Sequence, residues 1–406
     1  MKKEFSPKEK TQYKFLLNVL GFLFSNIPLE NNNQIDFRDL YFTSAKSRVA
    51  NMVSYALEKS KNNVPKEIMD MFVRCRKFML MKDASQFSAT KKLISEFENQ
   101  GIDNLLVKGQ FIKDTYPQPD FRVTNDVDVH IKSEDIEKAR TILSNLDYRI
   151  TESTDDLIVA VQDPFVQFEI HCDNGNFRNS IFVKNLFNNA KLINNTNHTY
   201  KFTDEYHYIY IVEHFAKHYR DLGGMGVRMI IDVYFLNKYL KNNNADYDFI
   251  NEKLNENNLT KFHQMLLEKA DLYFNKGIKD FDDVDVYILS NMTFGTEENR
   301  ILNERRKYNE EYNNSTEENY IKSRIFPPYK RMVEEYPSLK NKKLLLPLYW
   351  LHRDFKILTS KNLKQYQENL SEYKKYDNKE EIDFLDNVMK KSGFWFLLQF
   401  FTNIDF

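Results

Sequence analysis

Residues 121–131 read FRVTNDVDVHI, and within them Thr124–Ile131 alternates between two faces. A period of two is typical of a β-strand with one buried side. The pattern predicts that Asp126 and Asp128 emerge on the same side of this strand, about 6–7 Å apart. Asp is depleted in strands, so two of them in one short strand favour a functional role. The alternative is a solvated edge strand.

Short apolar or alternating stretches around this segment predict further strands. They are Asn104–Val107, Leu157–Val161 and Val166–Cys172. Ser133 is placed as the N-cap of a helix that runs to about Leu146. The sequence therefore predicts a small α/β unit with four or more strands.

The remainder of the chain shows the three- and four-residue apolar spacing of helices. The predicted helices are Lys10–Asn26, Phe37–Lys59, Pro65–Glu98 with a break near Lys82–Ser88, Glu205–His218, Arg228–Leu240, Tyr247–Asn255 and Phe262–Phe274. Asn188–Asn197 and Asn242–Asn244 are predicted as loops, and Glu310–Glu318 as a linker. We therefore expect a mostly helical α+β fold in four regions: helical 1–98, α/β core 99–180, helical 181–300 and helical 301–406.

Composition restricts the possible functions. The 406-residue chain has only 10 glycines, which argues against a glycine-rich dinucleotide-binding domain. Its 58 Lys and Arg nearly balance its 59 Asp and Glu, so no global charge favours DNA or a membrane. Cys75 and Cys172 lie far apart in the sequence and have no metal-ligand spacing. We therefore expect a reducing, cytoplasmic location.

The C-terminal stretch Gly393–Phe401 is strongly apolar. It has about half of the ~20 residues needed to span a bilayer. A packed C-terminal helix is the plain interpretation, and docking to a membrane or a partner is the alternative. We expect no transmembrane segment.

A second alternating stretch, Val166–Cys172, places Gln167, Glu169 and His171 on one face. If its strand neighbours the one with Asp126 and Asp128, three carboxylates converge. Such charges repel each other and are stabilised by a divalent cation. Oxygen ligands suit Mg²⁺ or Mn²⁺, and carboxylate-bound Mg²⁺ usually also holds substrate phosphates. Two metals about 3.5–4 Å apart can activate a hydroxyl and stabilise a departing pyrophosphate.

The ordered set of motifs resembles the DNA polymerase β-like nucleotidyltransferase superfamily. It is more closely similar to its uncharacterised bacterial nucleotidyltransferase family. The matching stretches extend over Leu105–Leu358 and are LLVKGQFIKDTYP, FRVTNDVDVHI, VQFEIHC, HFAKHYRDLGGMGVRMIIDVYFL, FPPYKRMVEEYP and LPLYWLHRDFKIL. The resemblance implies a small mixed β-sheet nucleotidyltransferase core surrounded by N- and C-terminal helices. Residues 181–300 would complete the active-site cleft.

The resemblance also implies roles for individual residues. Asp126 and Asp128 would hold the metal that binds the nucleotide phosphates, and Glu169 would lie nearest the acceptor hydroxyl. Gly109 would allow backbone N–H groups to approach the triphosphate. The wider superfamily has Gly-Ser or Gly-Gly where this chain has Gly109-Gln110 preceded by Lys108. Lys108 or Arg122 would then supply charge for the phosphates.

A second block contributes His214, Lys217 and His218 on one helix. The histidines are four residues apart on one face, a spacing that suits contact with a phosphate or base, helix packing, or zinc. No HExxH pattern accompanies them. The next segment, Gly223–Gly226 followed by Arg228, is either a glycine-capped helix corner or a tight loop facing the active site. In the second case Arg228 and Asp232 would line that site.

These observations lead to two main hypotheses, with a third alternative that the pattern of Asp126 and Asp128 is coincidental and the chain is a helical interaction protein. The first is a metal-dependent nucleotidyltransferase that moves an NMP from an NTP such as ATP to a hydroxyl acceptor with release of pyrophosphate. The acceptor is a small molecule, a protein or an RNA, and the sequence does not choose between them. The second is a catalytically inactive nucleotide-binding or scaffolding protein with the same fold.

Overall fold

A computed structural model describes residues 3–32, 34–173, 186–291, 293, 295–311, 317–359, 371–373 and 379–394. It is 66% helical and contains one seven-stranded mixed sheet, which confirms the predicted mostly helical α+β class. The chain divides into two compact units: residues 5–216 with 226–281, and residues 1–4 and 217–225 with 282–406. The predicted division into four regions stays a prediction.

The sheet belongs to the unit of residues 5–216 and 226–281. Its strands are β1 (Asn104–Leu106), β2 (Val127–Lys132), β3 (Arg149–Ser153), β4 (Leu157–Gln162), β5 (Val166–Asp173), β6 (Ala190–Leu192) and β7 (Thr199–Phe202). They lie in the order β3-β4-β5-β2-β1-β7-β6. β2 pairs with β5 in parallel and β1 with β7 in parallel, whereas the other pairs are antiparallel.

Helices of the same unit precede and follow the strands. They are α1 (Pro7–Ser25), α2 (Phe37–Lys46), α3 (Ala50–Lys59), α4 (Lys66–Asn99), α5 (Gly109–Asp114), α6 (Ile136–Asn145), α7 (Asp204–Asp221, whose last turn belongs to the other unit), α8 (Val227–Asn242), α9 (Tyr247–Glu256) and α10 (Thr260–Asp271).

One face of the sheet forms the hydrophobic core. Val127, Val129 and Ile131 of β2 lie opposite Phe168, Ile170 and Cys172 of β5, and all are buried. Leu93 and Phe97 of α4 cover this face together with residues of α6. Since side chains alternate along a strand, the residues between these positions point to the opposite face.

Four local predictions need correction. The predicted helix Phe37–Lys59 is two helices, because Arg48 adopts a left-handed φ of 57° that an α-helix does not accommodate. The expected break near Lys82–Ser88 is absent in α4, which has no Gly or Pro there. The strand predicted from Thr124 begins at Val127. The Asn-rich stretch predicted as a loop contains β6, which forms through its pairing with β7.

The second unit contains α11 (Asp283–Ser290), α12 (Glu297–Glu311), α13 (Glu317–Ile325), α14 (Tyr329–Glu335), α15 (Leu346–Thr359) and α16 (Lys379–Lys391). Its glycine segment is a tight corner: Gly223 and Gly224 have φ of 97° and 114°, and a Cβ on Gly224 would collide with the Asn291 side chain. The amide of Gly224 donates to the His218 carbonyl at 2.9 Å, as in a glycine-capped helix end. This packing supports the interpretation of the segment as a helix corner.

Two predictions fall partly on residues beyond the described ranges. Residues 312–316 of the predicted linker and residues 395–401 of the apolar C-terminal stretch lie outside the described part of the chain. Among the described helices, none combines the length and apolar character needed to cross a membrane.

A buried hydrogen bond joins α7 to α10. Tyr208 Oη and His263 Nε2 share a hydrogen bond of 2.7 Å, and both residues are buried. Burial lowers the pKa of His263 from 6.5 to about 4, because the imidazolium form loses its hydration. The unfolded chain therefore binds this proton more tightly than the folded one.

We expect this histidine to contribute to acid sensitivity. As the pH falls from 6.5 to about 4, the free energy of unfolding should lose up to about 3 kcal/mol from His263. Urea unfolding of His263→Gln across this range should show a shallower pH dependence than the parent protein. The exposed His352→Gln is the matched control. Equal slopes for His263→Gln and the parent would contradict the assignment.

Candidate active site

The polar face of the sheet brings two of the predicted carboxylates together. Asp128 of β2 and Glu169 of β5 lie directly opposite each other in the parallel pair, so their side chains emerge side by side. His171 follows two residues after Glu169, and its Nε2 lies 3.2 Å from Asp128 Oδ1 and 3.7 Å from Glu169 Oε2. One ligand atom from each of the three residues lies within 4.8 Å of the others. This cluster is suited to a cation.

Asp126 lies in the bend immediately before β2 and is partly buried. Burial raises its pKa, and the neighbouring Asp128 raises it further. The pKa of Glu169 is also raised, by burial first and then by Asp126 and Asp128. Both shifts reflect negative charge that a cation would stabilise. The roles assigned to the three carboxylates stay predictions.

Lys108 forms an ion pair with this cluster. Its Nζ lies 2.8 Å from Asp128 Oδ1. Burial alone would lower the pKa of Lys108, but the ion pair outweighs it and raises that pKa. Burial likewise opposes ionisation of Asp128, yet Lys108 and His171 keep its pKa well below the usual range. Lys108 has a φ of 53°, which is costly for a residue with a side chain. The strained backbone of Lys108 therefore coincides with a specific side-chain contact to Asp128, a predicted site residue.

His207 of α7 fixes the strained backbone, a role that no sequence pattern indicated. The amide of Lys108 donates to His207 Nε2 at 3.0 Å, and the Phe111 ring stacks on the imidazole with centroids 4.2 Å apart. Burial lowers the pKa of His207 to about 3. The ring is therefore neutral at physiological pH, and its Nε2 lone pair is available as the acceptor.

Gly109 begins α5, directly after Lys108. A Cβ at this position would collide with Cγ2 of Thr124, which lies in the segment leading to Asp126. Glycine is required here by the close approach of two chain segments. This packing explains the Lys-Gly pair, and the predicted approach of triphosphate to Gly109 stays a prediction.

Arg122 lies beside the carboxylates and is held by a buried acid. Its Nε donates to Asp232 Oδ1 at 2.7 Å, and Tyr116 Oη donates to the same oxygen at 2.6 Å. Burial alone would lower the pKa of Arg122, but Asp232 and Tyr116 reverse this and raise it. Asp232 and Tyr116 thus keep Arg122 charged and fix its position.

Arg228 is predicted to bind the nucleotide, but its guanidinium contacts backbone. It donates to the Arg48 carbonyl at 3.3 Å and to the Val123 carbonyl, and it is only 4% exposed. Burial and the nearby Arg122 lower the pKa of Arg228 to about 9. In this arrangement Arg228 positions the segments that carry other cations.

Two further cations come from the N-terminal helices, where sequence patterns gave no indication of them. Arg48 lies between α2 and α3 and interacts electrostatically with Asp126 and Arg122. Lys82 of α4 donates to Asn125 Oδ1 at 3.3 Å and also interacts with Asp126. Burial is the main cause that lowers the pKa of both Arg48 and Lys82, and neighbouring arginines lower each further.

A cleft opens next to this group of charges. Four predicted site residues line it, and six residues that the sequence did not single out complete the lining. The lining residues are Gly109, Arg122, Asp126 and Asp128, with Asp83, Gln86, Phe87, Lys113, Thr124 and Val127. Gln86 of α4 donates from Nε2 to the Thr124 carbonyl at 3.1 Å, which ties one wall of the cleft to the helix.

The lining residues of this cleft do not include the three predicted residues of α7. His214 is partly buried in the same unit as the sheet, while Lys217 and His218 belong to the other compact unit. The His218 carbonyl caps the glycine corner. Contacts of these three side chains with a nucleotide stay predictions.

The donor set fits a divalent metal ion. Asp126, Asp128 and Glu169 offer hard carboxylate oxygens, and two of them lie on adjacent strands in register. Burial and the neighbouring carboxylates raise the pKa values of Asp126 and Glu169, so a bound cation would favour the ionised form of both groups. Mg²⁺ and Mn²⁺ both accept such ligands.

The contact between Gly109 and Thr124 can be tested directly. Gly109→Ala should lower the free energy of unfolding by about 1–3 kcal/mol, because the added methyl overpacks against Thr124 Cγ2. Thr124→Ser removes that methyl and retains the hydroxyl that donates to Gln86 Oε1 at 3.3 Å. The double variant should recover most of the loss in urea unfolding. Simple additivity of the two substitutions would contradict the contact.

Comparison with known proteins agrees with this geometry. The sequence profile of a family described as "Uncharacterised nucleotidyltransferase" matches residues 33–275, which is more than half of the chain. No curated protein and no solved structure gave a significant match. The matched region begins before α2 and ends just after α10, so it includes the whole sheet and the helices that line the cleft. The chain belongs to this uncharacterised family of nucleotidyltransferases.

Proposed function

We propose that the protein transfers an NMP from a Mg²⁺- or Mn²⁺-bound NTP to a hydroxyl group and releases pyrophosphate. The observation that carries the proposal is the pairing of Asp128 with Glu169 across two parallel strands, with Asp126 at the start of the first. Family membership supports nucleotidyl transfer in general. The metal, the nucleotide and the acceptor class are our own inference.

The cations around the cleft support a polyanionic substrate. Lys108 is paired with Asp128 and Arg122 with Asp232, while burial and neighbouring arginines lower the pKa of both Arg48 and Lys82 near Asp126. Like charges in a partly buried site are costly unless an anion joins them. A triphosphate supplies that charge. We therefore assign Lys108, Arg122, Arg48 and Lys82 to phosphate binding.

Chemistry in this arrangement requires an acceptor oxygen in line with the bond that breaks. The acceptor oxygen forms a bond to the α-phosphorus, and the bond from that phosphorus to the β-phosphate bridging oxygen breaks. Asp126, Asp128 and Glu169 would hold the divalent ions, which supply charge stabilisation on the phosphates when bound.

Glu169 is the group we assign to the acceptor. Its raised pKa favours uptake of the acceptor hydroxyl proton. Gln167 Nε2 donates to Glu169 Oε1 at 3.1 Å and orients the carboxylate. Glu169 would release the proton to solvent before the next turnover.

The proposal predicts metal-dependent nucleotide binding and transfer. Incubation with α-labelled NTPs, Mg²⁺ or Mn²⁺, and a cell extract separated into small molecules, proteins and RNA should label one fraction. Asp126→Asn should reduce labelling by at least about 10²-fold, because one charge-stabilising group is lost. Glu152→Gln, an exposed acid on β3, is the matched control and should retain full labelling.

Two outcomes would count against the proposal. Binding of NTP with metal but no labelled product from any fraction would favour the inactive nucleotide-binding alternative. No rise in thermal stability with any NTP and Mg²⁺ or Mn²⁺ would overturn nucleotide binding itself.

A further inference from the structure

We infer that His171 is itself a metal ligand, so that the site takes a nitrogen-accepting divalent ion of the Mn²⁺ class in preference to Mg²⁺. The inference rests on the proposed function, since it concerns the ion that would serve the nucleotide. It adds a nitrogen ligand to the carboxylates of Asp128 and Glu169 and names the class of metal.

The geometry of the two central strands carries this inference. Asp128 and Glu169 form one cross-strand pair, and His130 and His171 form the next pair along the same face. The His171 Nε2 atom points between the two carboxylates, 3.2 Å from Asp128 Oδ1 and 3.7 Å from Glu169 Oε2. Two ligands about 2.1 Å from one ion are at most about 4.2 Å apart. Both measured distances satisfy that limit.

The histidine ring is held in this orientation by its neighbour. His130 stacks on His171 with ring centroids 5.0 Å apart and an interplanar angle of 23°. His130 is 2% exposed, whereas the His171 side chain retains 13% exposure. A ligand oriented by packing loses little freedom when it binds a metal.

Lys108 also contacts Asp128, the residue that would share the ion with His171. β2 lies between β1 and β5, so Lys108, which follows β1, reaches Asp128 from one side. His171 and Glu169 reach the same residue from the β5 side. Lys108 Nζ and His171 Nε2 contact the same oxygen, Asp128 Oδ1, so an ion bound by Asp128 and His171 would displace the lysine, which could then contact phosphate.

Ligand chemistry determines which metal such a set prefers. Carboxylates alone suit Mg²⁺, Ca²⁺ and Mn²⁺, whereas imidazole favours transition ions. Mg²⁺ also demands near-ideal octahedral oxygen geometry and keeps most of its water. Two carboxylates with one imidazole therefore favour Mn²⁺ over Mg²⁺ at the same position.

Pulsed electron paramagnetic resonance of the full-length protein with Mn²⁺ alone tests the inference, in buffer without nitrogen and without nucleotide. The expected result is a ¹⁴N coupling typical of directly bound imidazole. Labelling the protein with ¹⁵N-histidine should convert this coupling to that of ¹⁵N. This measurement on the unaltered sequence does not depend on the folding of any variant.

Variants then assign the nitrogen to one residue. His171→Gln should abolish the coupling and lower the ratio of Mn²⁺ to Mg²⁺ affinity by at least about tenfold. His198→Gln is the matched control, because His198 also contacts a carboxylate, Asp103 at 2.8 Å, outside the cluster. It should leave both the coupling and the affinity ratio unchanged.

The possible failures are distinguishable. Mn²⁺ that binds without nitrogen coupling would overturn the role of His171 and leave the carboxylate site of the proposed function intact. Coupling that persists in His171→Gln would also overturn it. A protein that binds neither Mn²⁺ nor Mg²⁺, alone or with NTP, would overturn both the inference and the metal-dependent function.

Discussion

The parallel register between β2 and β5 is the constraint on which the site depends. On one face it places Val129 opposite Ile170 in the core, and on the other it places Asp128 opposite Glu169. A slip of one residue would move Glu169 into the hydrophobic layer and an isoleucine into the site. The free-energy cost of that slip would arise in the hydrophobic core, because a carboxylate would replace an apolar side chain there. Packing under α4 on one face of the sheet therefore fixes the register that sets the geometry of Asp128 and Glu169 on the other face.

Sequence patterns found the features that repeat along a strand or helix. The carboxylates Asp126, Asp128 and Glu169 stood out because they interrupt apolar strands, and the mixed helical fold followed from periodicity. The features that the patterns missed depend on contacts between distant segments. His207 acts through the Lys108 amide, and Arg48 reaches Asp126 from a turn that periodicity merged into one helix. A single sequence carries no spacing signal for such contacts.

Charge compensation in the site is uneven. Lys108 and Asp128 neutralise each other, and Arg122 and Asp232 do the same. Arg228 makes its described hydrogen bonds to backbone carbonyl groups only. The neighbourhood of Asp126 is consequently rich in positive charge, whereas Glu169 lies in surroundings that disfavour its ionised form. The end of the site near Asp126 thus suits an anionic group, and at the other end Glu169 is suited to accept a proton.

The left-handed turn at Arg48 limits how far this chain could be shortened from its N-terminal side. The turn ends α2, presents its carbonyl to Arg228, and brings a cation from the first 50 residues to a carboxylate near position 126. A shortened chain that begins at β1 would keep Asp126, Asp128, Glu169 and the whole sheet. It would lose Arg48 and Lys82, and also Asp83, Gln86 and Phe87 of α4, which line one wall of the cleft. An intact cleft therefore requires more of the chain than the α/β core.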